Sequence, residues 1–588
     1  MRLHAAHLVL LPLTGAQFVP FPTDLTTVQG AAGTTVRFKQ VPPGICELNP
    51  NIKTIAGYVD VSPTQHMYFL FFESRTGNPT TAPLTVRLDG GPGSSSMNGL
   101  FAEIGPCTIS PTGSVVNNTN SWSSVGNLLF VDQPSTVGFS YTSLVNGTID
   151  PKTARIVPQQ CNLADPRCGT YSSMDLSLTP NSTTEAAKVF YQVMQGFLDA
   201  FPQYATPAGV HINGQSYGGH YAPIFASHIL SKNAVNNPGT VPIPLKSISI
   251  EDGFMDARQQ FASYLNYSAA NPYDLLPFNS SQKAQLAENM FGAKGCQPRL
   301  TACVSSPSDA TCADADAFCI SAVEEFWDVN TGRSENDIRV FAPDPYPPTN
   351  YVAYLNTPAV QTAIGASTNF TVASVQTSLA FSATGDDTRT SPLVVSSIAT
   401  LLQNNISVAL FTGDADYDSN LPGAMAVSSS INAPNWASSG FVDLSPNSDG
   451  QIPGQVRQAD GFSLTRLYFA GHFSAFQQPE AALRIQNRLI RGVDIATGTT
   501  GMFLGKGLVT RGPAESTFKQ GNATVQTGPL PKGVVYDPRT HLPVLPPAAA
   551  GVSVKADVAE DAEGHPLAGM TAKKIRKMLR EDGAPLKS

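Results

Sequence analysis

The pentapeptide Gly214-Gln215-Ser216-Tyr217-Gly218 constrains this chain more than any other stretch, because it stands between the short strand-like run Val210 to Asn213 and a segment of helical character. A serine between glycines at a strand-to-helix turn is the setting of a nucleophile elbow, where a strained backbone lifts the hydroxyl clear of the sheet. A side chain at either flanking position would obstruct so close a turn. The motif calls for a strand before it, a helix after it and a sheet around it, which selects an α/β architecture. Ser216 is the candidate nucleophile.

A serine hydroxyl needs a base within hydrogen-bond reach, normally a histidine oriented by a carboxylate. His472, in Ala470-Gly471-His472-Phe473, follows the strand-like run Leu467 to Ala470, and Asp416, in Thr412-Gly413-Asp414-Ala415-Asp416, follows Val408 to Thr412. The chain order Ser, Asp, His is that of α/β hydrolases. The expected fold is therefore an α/β-hydrolase: a mixed, mostly parallel central sheet flanked by helices. Further strands are expected at Tyr68 to Phe72, Leu84 to Leu88 and Leu128 to Val131, and a helix over Ser182 to Phe201 closed by Pro202. Between about Ala257 and Asn350 the periodicity weakens and Cys296, Cys303, Cys312 and Cys319 crowd together, which reads as a disulfide-stapled insertion forming a cap. This divides the chain into residues 17–256 and 351–520 as two parts of the core, 257–350 as the inserted cap, and 521–588, rich in Pro, Ala and charge, as a disordered tail.

Residues 1–16 have the layout of a signal peptide: Arg2 and His4, an apolar run to Leu13, then small residues. Sequons at Asn117, Asn146, Asn181, Asn266, Asn279, Asn369, Asn405 and Asn522 agree with a secretory route, leading to export or to a vacuolar lumen. The eight cysteines, which add Cys46, Cys107, Cys161 and Cys168 to the four above, form an even set suited to disulfides. No Cys-x-x-Cys spacing occurs, so neither a metal nor a cofactor is expected. A net charge of −8 excludes a broad footprint for nucleic acid, and no apolar run approaches the length that membrane insertion requires.

Four separated motifs resemble the serine carboxypeptidases: Leu88-Asp89-Gly90-Gly91-Pro92-Gly93-Ser94-Ser95, Gly214-Gln215-Ser216-Tyr217-Gly218-Gly219-His220-Tyr221, Gly413-Asp414-Ala415-Asp416, and Ala470-Gly471-His472 with Gln478-Pro479-Glu480. The resemblance runs from about Gly57 to Leu489. It implies release of C-terminal residues from peptides and proteins through an acyl-enzyme, with Ser216 as nucleophile, His472 as general base and acid, and Asp416 rather than Asp414 as the orienting carboxylate. The backbone N–H groups of Gly91 and Tyr217 would form the oxyanion hole. It also implies the nested disulfides Cys296 with Cys319 and Cys303 with Cys312; Cys46 with Cys107 and Cys161 with Cys168 would use the remaining thiols.

Two positions depart from the family pattern. Where the family grips the substrate's free carboxylate with an Asn and a Glu, this chain has Asp89 and Gln215, beside Gly90. A carboxyl donates to a carboxylate only while protonated, whereas an amide donates at any pH. Two facing carboxyls disfavour neutral pH, so acid-favoured hydrolysis is expected. An esterase on the same fold would need no such grip.

Overall fold

The computed structural model describes residues 18–159, 162, 164–235, 237–502 and 507–530, together with 535–537, 543–544 and 577. The expected signal peptide, and the tail after 544 apart from Lys577, lie outside them. One twelve-stranded sheet organises the chain. Its strands are β1 (Thr26–Gln29), β2 (Thr35–Gln40), β3 (Thr54–Ser62), β4 (Gln65–Phe72), β5 (Leu84–Leu88), β6 (Asn127–Val131), β7 (Val210–Gln215), β8 (Leu245–Glu251), β9 (Ser407–Gly413), β10 (Phe441–Asp443), β11 (Gly454–Ala459) and β12 (Phe462–Leu467). They lie in the order β1-β2-β3-β4-β6-β5-β7-β8-β9-β12-β11-β10. Neighbours from β6 through β12 along this order are parallel, and both flanks are antiparallel.

Period-two alternation sends each strand's side chains into two separate cores. In β4, Phe69 and Phe71 join the core beneath helices α1 (Thr183–Ala200) and α2 (Gly218–Val235), while Tyr68, Leu70 and Phe72 join the opposite one. That second core is closed by Ala482, Ile485 and Leu489 of a helix over Pro479–Ile490. Helix α1 starts where the Ser182 hydroxyl accepts from the Glu185 N–H and ends before Pro202.

The strand expected at Leu467 to Ala470 needs correction. It runs over Phe462–Leu467, and Tyr468 to Ala470 form the turn beyond it, with Phe469 at φ 53°. The apolar residues of the turn face the core without extending the ladder.

The inserted region is helical, with Ala257–Ala269, Ser280–Phe291, Cys296–Ser305 and Asp309–Cys319 leading into a π-turn at Ile320–Glu324. Disulfides join Cys296 to Cys319, Cys303 to Cys312 and Cys46 to Cys107. Cys168 is also disulfide-bonded, while Cys161 lies outside the described residues. Asn117, Asn146, Asn181, Asn266, Asn279, Asn405 and Asn522 are exposed. Asn369 is not a usable acceptor in this fold: it is 7% exposed, its Oδ1 accepts from the Thr170 N–H and its Nδ2 donates to Asn356. Packing also passes the expected tail boundary at 521, because Gln526 bonds to Arg333 and Arg339, and Tyr536 is buried. Among the described residues no helix is long and apolar enough to cross a membrane.

Candidate active site

The carboxyl ends of the parallel strands open on one cleft, where the ends of an α/β sheet usually hold their ligand. Ser216 follows β7 at φ 58°, a left-handed backbone that a residue with a Cβ adopts only under strain. Its neighbours hold it there: the Ser216 N–H donates to Glu251 O at 3.0 Å, and its carbonyl accepts from Gly219 and Phe254 at 2.9 Å each. Gly214 allows the turn, since a Cβ on it would lie 2.4 Å from the Gly218 carbonyl oxygen.

His472 borders the same cleft from the turn beyond β12, its N–H bonded to Asn336 O at 2.7 Å. Its Nδ1 lies 3.0 Å from Asp416 Oδ2, and its Nε2 lies 3.7 Å from Asp418 Oδ2. Asp416 is wholly buried after β9. Asp414 is occupied elsewhere: it pairs with Arg466 at 3.0 Å, and its Oδ1 accepts from the Tyr273 hydroxyl at 2.5 Å. Burial alone would lower the His472 imidazole, but the attraction of Asp416, reinforced by Asp418 and Asp252, overrides it and raises the group from its ordinary 6.5 to about 10.

The turn after β5 supplies the facing wall. Gly91 sits at φ 109°, and its N–H donates to no acceptor among the described residues. Gly90 lets this turn lie against the elbow, because a Cβ there would stand 2.2 Å from the Tyr217 backbone nitrogen. Tyr217 is steadied by its hydroxyl, which donates to Asp386 at 2.8 Å, and by stacking on His220 at 4.5 Å.

A profile described as Serine carboxypeptidase matches residues 43–492. The chain belongs to the serine carboxypeptidase family. Among its curated relatives, Carboxypeptidase S1 homolog B of Arthroderma otae is 33% identical over 83% of this chain and 80% of that protein. Carboxypeptidase S1 of Penicillium janthinellum is 33% identical over 77% of this chain and 99% of that one. In fold, the chain is similar to a crystal structure of the prohormone-processing carboxypeptidase Kex1 from Saccharomyces cerevisiae, with a TM-score of 0.60 and 21% identity over 77% of this chain and 95% of that one.

In this serine carboxypeptidase the residues expected to grip the substrate's carboxylate sit on a buried charge cluster that the sequence did not announce. The Arg87 guanidinium, 1% exposed, donates to Asp89 Oδ1 at 2.6 Å, to Glu251 Oε2 and Asn213 Oδ1 at 2.7 Å each, and to Glu103 Oε2 at 2.9 Å. The second Asp89 oxygen accepts from the Gly99 N–H at 3.0 Å. Each oxygen thus accepts one bond from a group behind the cleft wall, while Asp89 still borders the cleft. Burial pushes the Asp89 carboxyl up, opposed by Arg87 and assisted by the Glu251 charge. Glu103 is pushed well up by burial against Arg87, with Glu251 and Asp89 adding repulsion. Gln215, 4% exposed, donates one amide hydrogen to the His472 carbonyl at 3.1 Å, which ties the elbow to the histidine turn.

Arg87, Glu103, Glu251, Asp252 and Asp418 all escaped the sequence reading. A signal existed for Arg87, a charge inside the apolar run Leu84 to Leu88, and for Glu251-Asp252-Gly253 at a strand end. Asp252 joins the turns that carry Asp416 and His472, accepting from the Gly413 N–H at 2.7 Å and from the Ser474 N–H at 3.3 Å.

Proposed function

We propose that the protein is a serine carboxypeptidase that works through an acyl-enzyme formed on Ser216 and recognises the free C-terminus best at acid pH. His472 takes the Ser216 proton as Oγ attacks the scissile carbonyl, and Asp416 holds the imidazole by its Nδ1 side and stabilises the imidazolium. The oxyanion of the tetrahedral intermediate receives the N–H groups of Gly91 and Tyr217, each such donor being worth about 3 kcal/mol. Collapse of the intermediate passes the proton from His472 to the leaving amine, which departs as the free C-terminal amino acid. Water then repeats the sequence and frees Ser216. The observation that carries this reading is the pairing of His472 with buried Asp416 at the rim of a cleft that also holds a strained Ser216.

The substrate's terminal carboxylate lies against Asp89, Gly90 and Gln215. Asp89 contributes by carrying a proton at low pH, so that no second negative charge faces the carboxylate. The substrates are peptide or protein C-termini. The leader layout, the exposed sequons and the disulfides support a secretory route that ends outside the cell or in a vacuolar lumen.

The test is hydrolysis of a blocked dipeptide and its C-terminal amide, using the full chain and Ser216→Ala. Faster cleavage of the free acid, absent in Ser216→Ala, is expected. Equal cleavage of the amide by the wild type would remove terminal recognition from the proposal. Undiminished activity in Ser216→Ala would remove the nucleophile.

A further inference from the structure

From Leu84 to Cys107 the chain is buried except at Gly91, Ser94 and Asn98, and these three line the cleft with Asp89, Gln215 and Ser216. The spacing places Asn98 one turn beyond Ser94, on the short helical turn Met97–Gly99. Its amide has a defined orientation. The Tyr351 hydroxyl donates to Asn98 Oδ1 at 2.8 Å, and burial together with the Asp89 and Glu103 charges raises the phenol, so it remains a donor. The amide nitrogen has no acceptor among the described residues and is not enclosed in the interior. Its N–H groups therefore open on the cleft, the open space that this segment borders.

Asn98 is also locked to the group whose role was in question. The next residue, Gly99, donates its N–H to Asp89 Oδ2, and Arg87 holds Asp89 from behind. A Cβ on Gly99 would lie 2.5 Å from Arg87 Nε, so only glycine lets the turn approach the guanidinium this closely. Ionised Asp89 offers a substrate carboxylate no donor, and Asn98 Nδ2, on the same cleft wall, presents one at any pH.

We propose that Asn98 donates from Nδ2 to the terminal carboxylate of the peptide, and that Arg87 and Asp89 are positioning residues that hold its turn in place. The inference rests on the carboxypeptidase reading above and names the donor that reading needs. A hydrogen bond to a charged group is lost in Asn98→Leu, which raises KM for the free acid about 10- to 100-fold.

The experiment measures kcat and KM for the blocked dipeptide acid and its amide with the wild type, Asn98→Leu, Asn98→Asp and Tyr351→Phe, all as full chains. Thermal melting and the rate of Ser216 labelling by a fluorophosphonate report folding and an intact elbow. Expected is a rise in KM for the acid with little change in kcat, so that the acid-to-amide ratio collapses in Asn98→Leu. A further loss is expected in Asn98→Asp, where two carboxylates meet, and an intermediate loss in Tyr351→Phe, which frees the amide to rotate. A wild-type acid-to-amide ratio in Asn98→Leu or in Asn98→Asp overturns the proposal. A wild type that itself shows no acid preference defeats the terminal-recognition reading instead, and the two failures are distinct.

Discussion

The proposed mechanism needs a neutral imidazole at His472 and a neutral carboxyl at Asp89 at the same time, and the two groups respond to pH in opposite senses. His472 is held up at about 10, so the fraction able to accept the Ser216 proton grows as pH rises. Asp89 is held up by burial against the pull of Arg87, so the fraction that leaves a substrate carboxylate unopposed shrinks as pH rises. An ester or amide lacking a terminal carboxylate should therefore be hydrolysed faster from pH 4 to 8, while KM for the free acid worsens. The acid-to-amide ratio of kcat/KM should fall steadily over that range, and Asp89→Asn should flatten it; a ratio independent of pH in the wild type would contradict this account. Arg87 supports a second expectation at this scale. Replacing it with Met leaves three buried carboxyl groups without their cation, a loss of about 3–5 kcal/mol that urea denaturation would register. The candidate residues Ser216, Asp416 and His472 could be picked out in the sequence because each follows a strand and sits among turn residues. The Arg87 cluster could not, because Glu103 and Glu251 lie 16 and 164 residues away and meet only when β5, β8 and the π-turn over Leu100–Ile104 pack together.

Among the elements, the inserted helices show why a weak periodic pattern need not mean irregular structure. Cys296–Ser305 and Asp309–Cys319 are short, and two disulfides clamp them as a hairpin, so tertiary links replace the long apolar stripe that would have marked them in the sequence. The clustering of the cysteines was readable, while the helices were not. The wider bridge closes 23 residues and the inner one 9, so on loop-closure entropy losing Cys296–Cys319 should cost about 0.8 kcal/mol more than losing Cys303–Cys312. Paired Cys→Ser variants compared by chemical denaturation test the order, and equal losses would mean that native packing rather than chain entropy dominates. The helical hairpin leads directly into Ile320 and Glu324 on the cleft wall, so the same variants should raise KM before they lower kcat.

Across the whole molecule, the sheet carries the elbow between its two cores, while the segment behind the histidine turn is contacted by chain whose composition reads as lying outside the fold. Gln526 accepts from Arg333 through its carbonyl at 2.7 Å, donates its N–H to Arg339 O at 2.8 Å, and accepts from the Phe341 N–H through its side chain at 3.0 Å. Tyr536 is buried, and its hydroxyl donates to Asp344 at 2.7 Å. All four partners belong to the segment 333–344, whose Asn336 carbonyl receives the His472 N–H and whose Asp337 accepts from Gln477 at 3.0 Å. Proline and charge made residues 521–588 look like a tail because composition registers average solvation and is blind to two or three anchoring contacts. Deleting 521–588 should cost about 3 kcal/mol from the three Gln526 hydrogen bonds alone. It should also lower kcat on the free acid and on the amide alike, because a loosened segment 333–344 misplaces His472 without touching the carboxylate grip. Melting temperature together with kcat on both substrates tests this. A truncated chain that melts later than expected but loses kcat would still tie the tail to His472, whereas unchanged kcat and melting would show that the segment holds the histidine turn unaided.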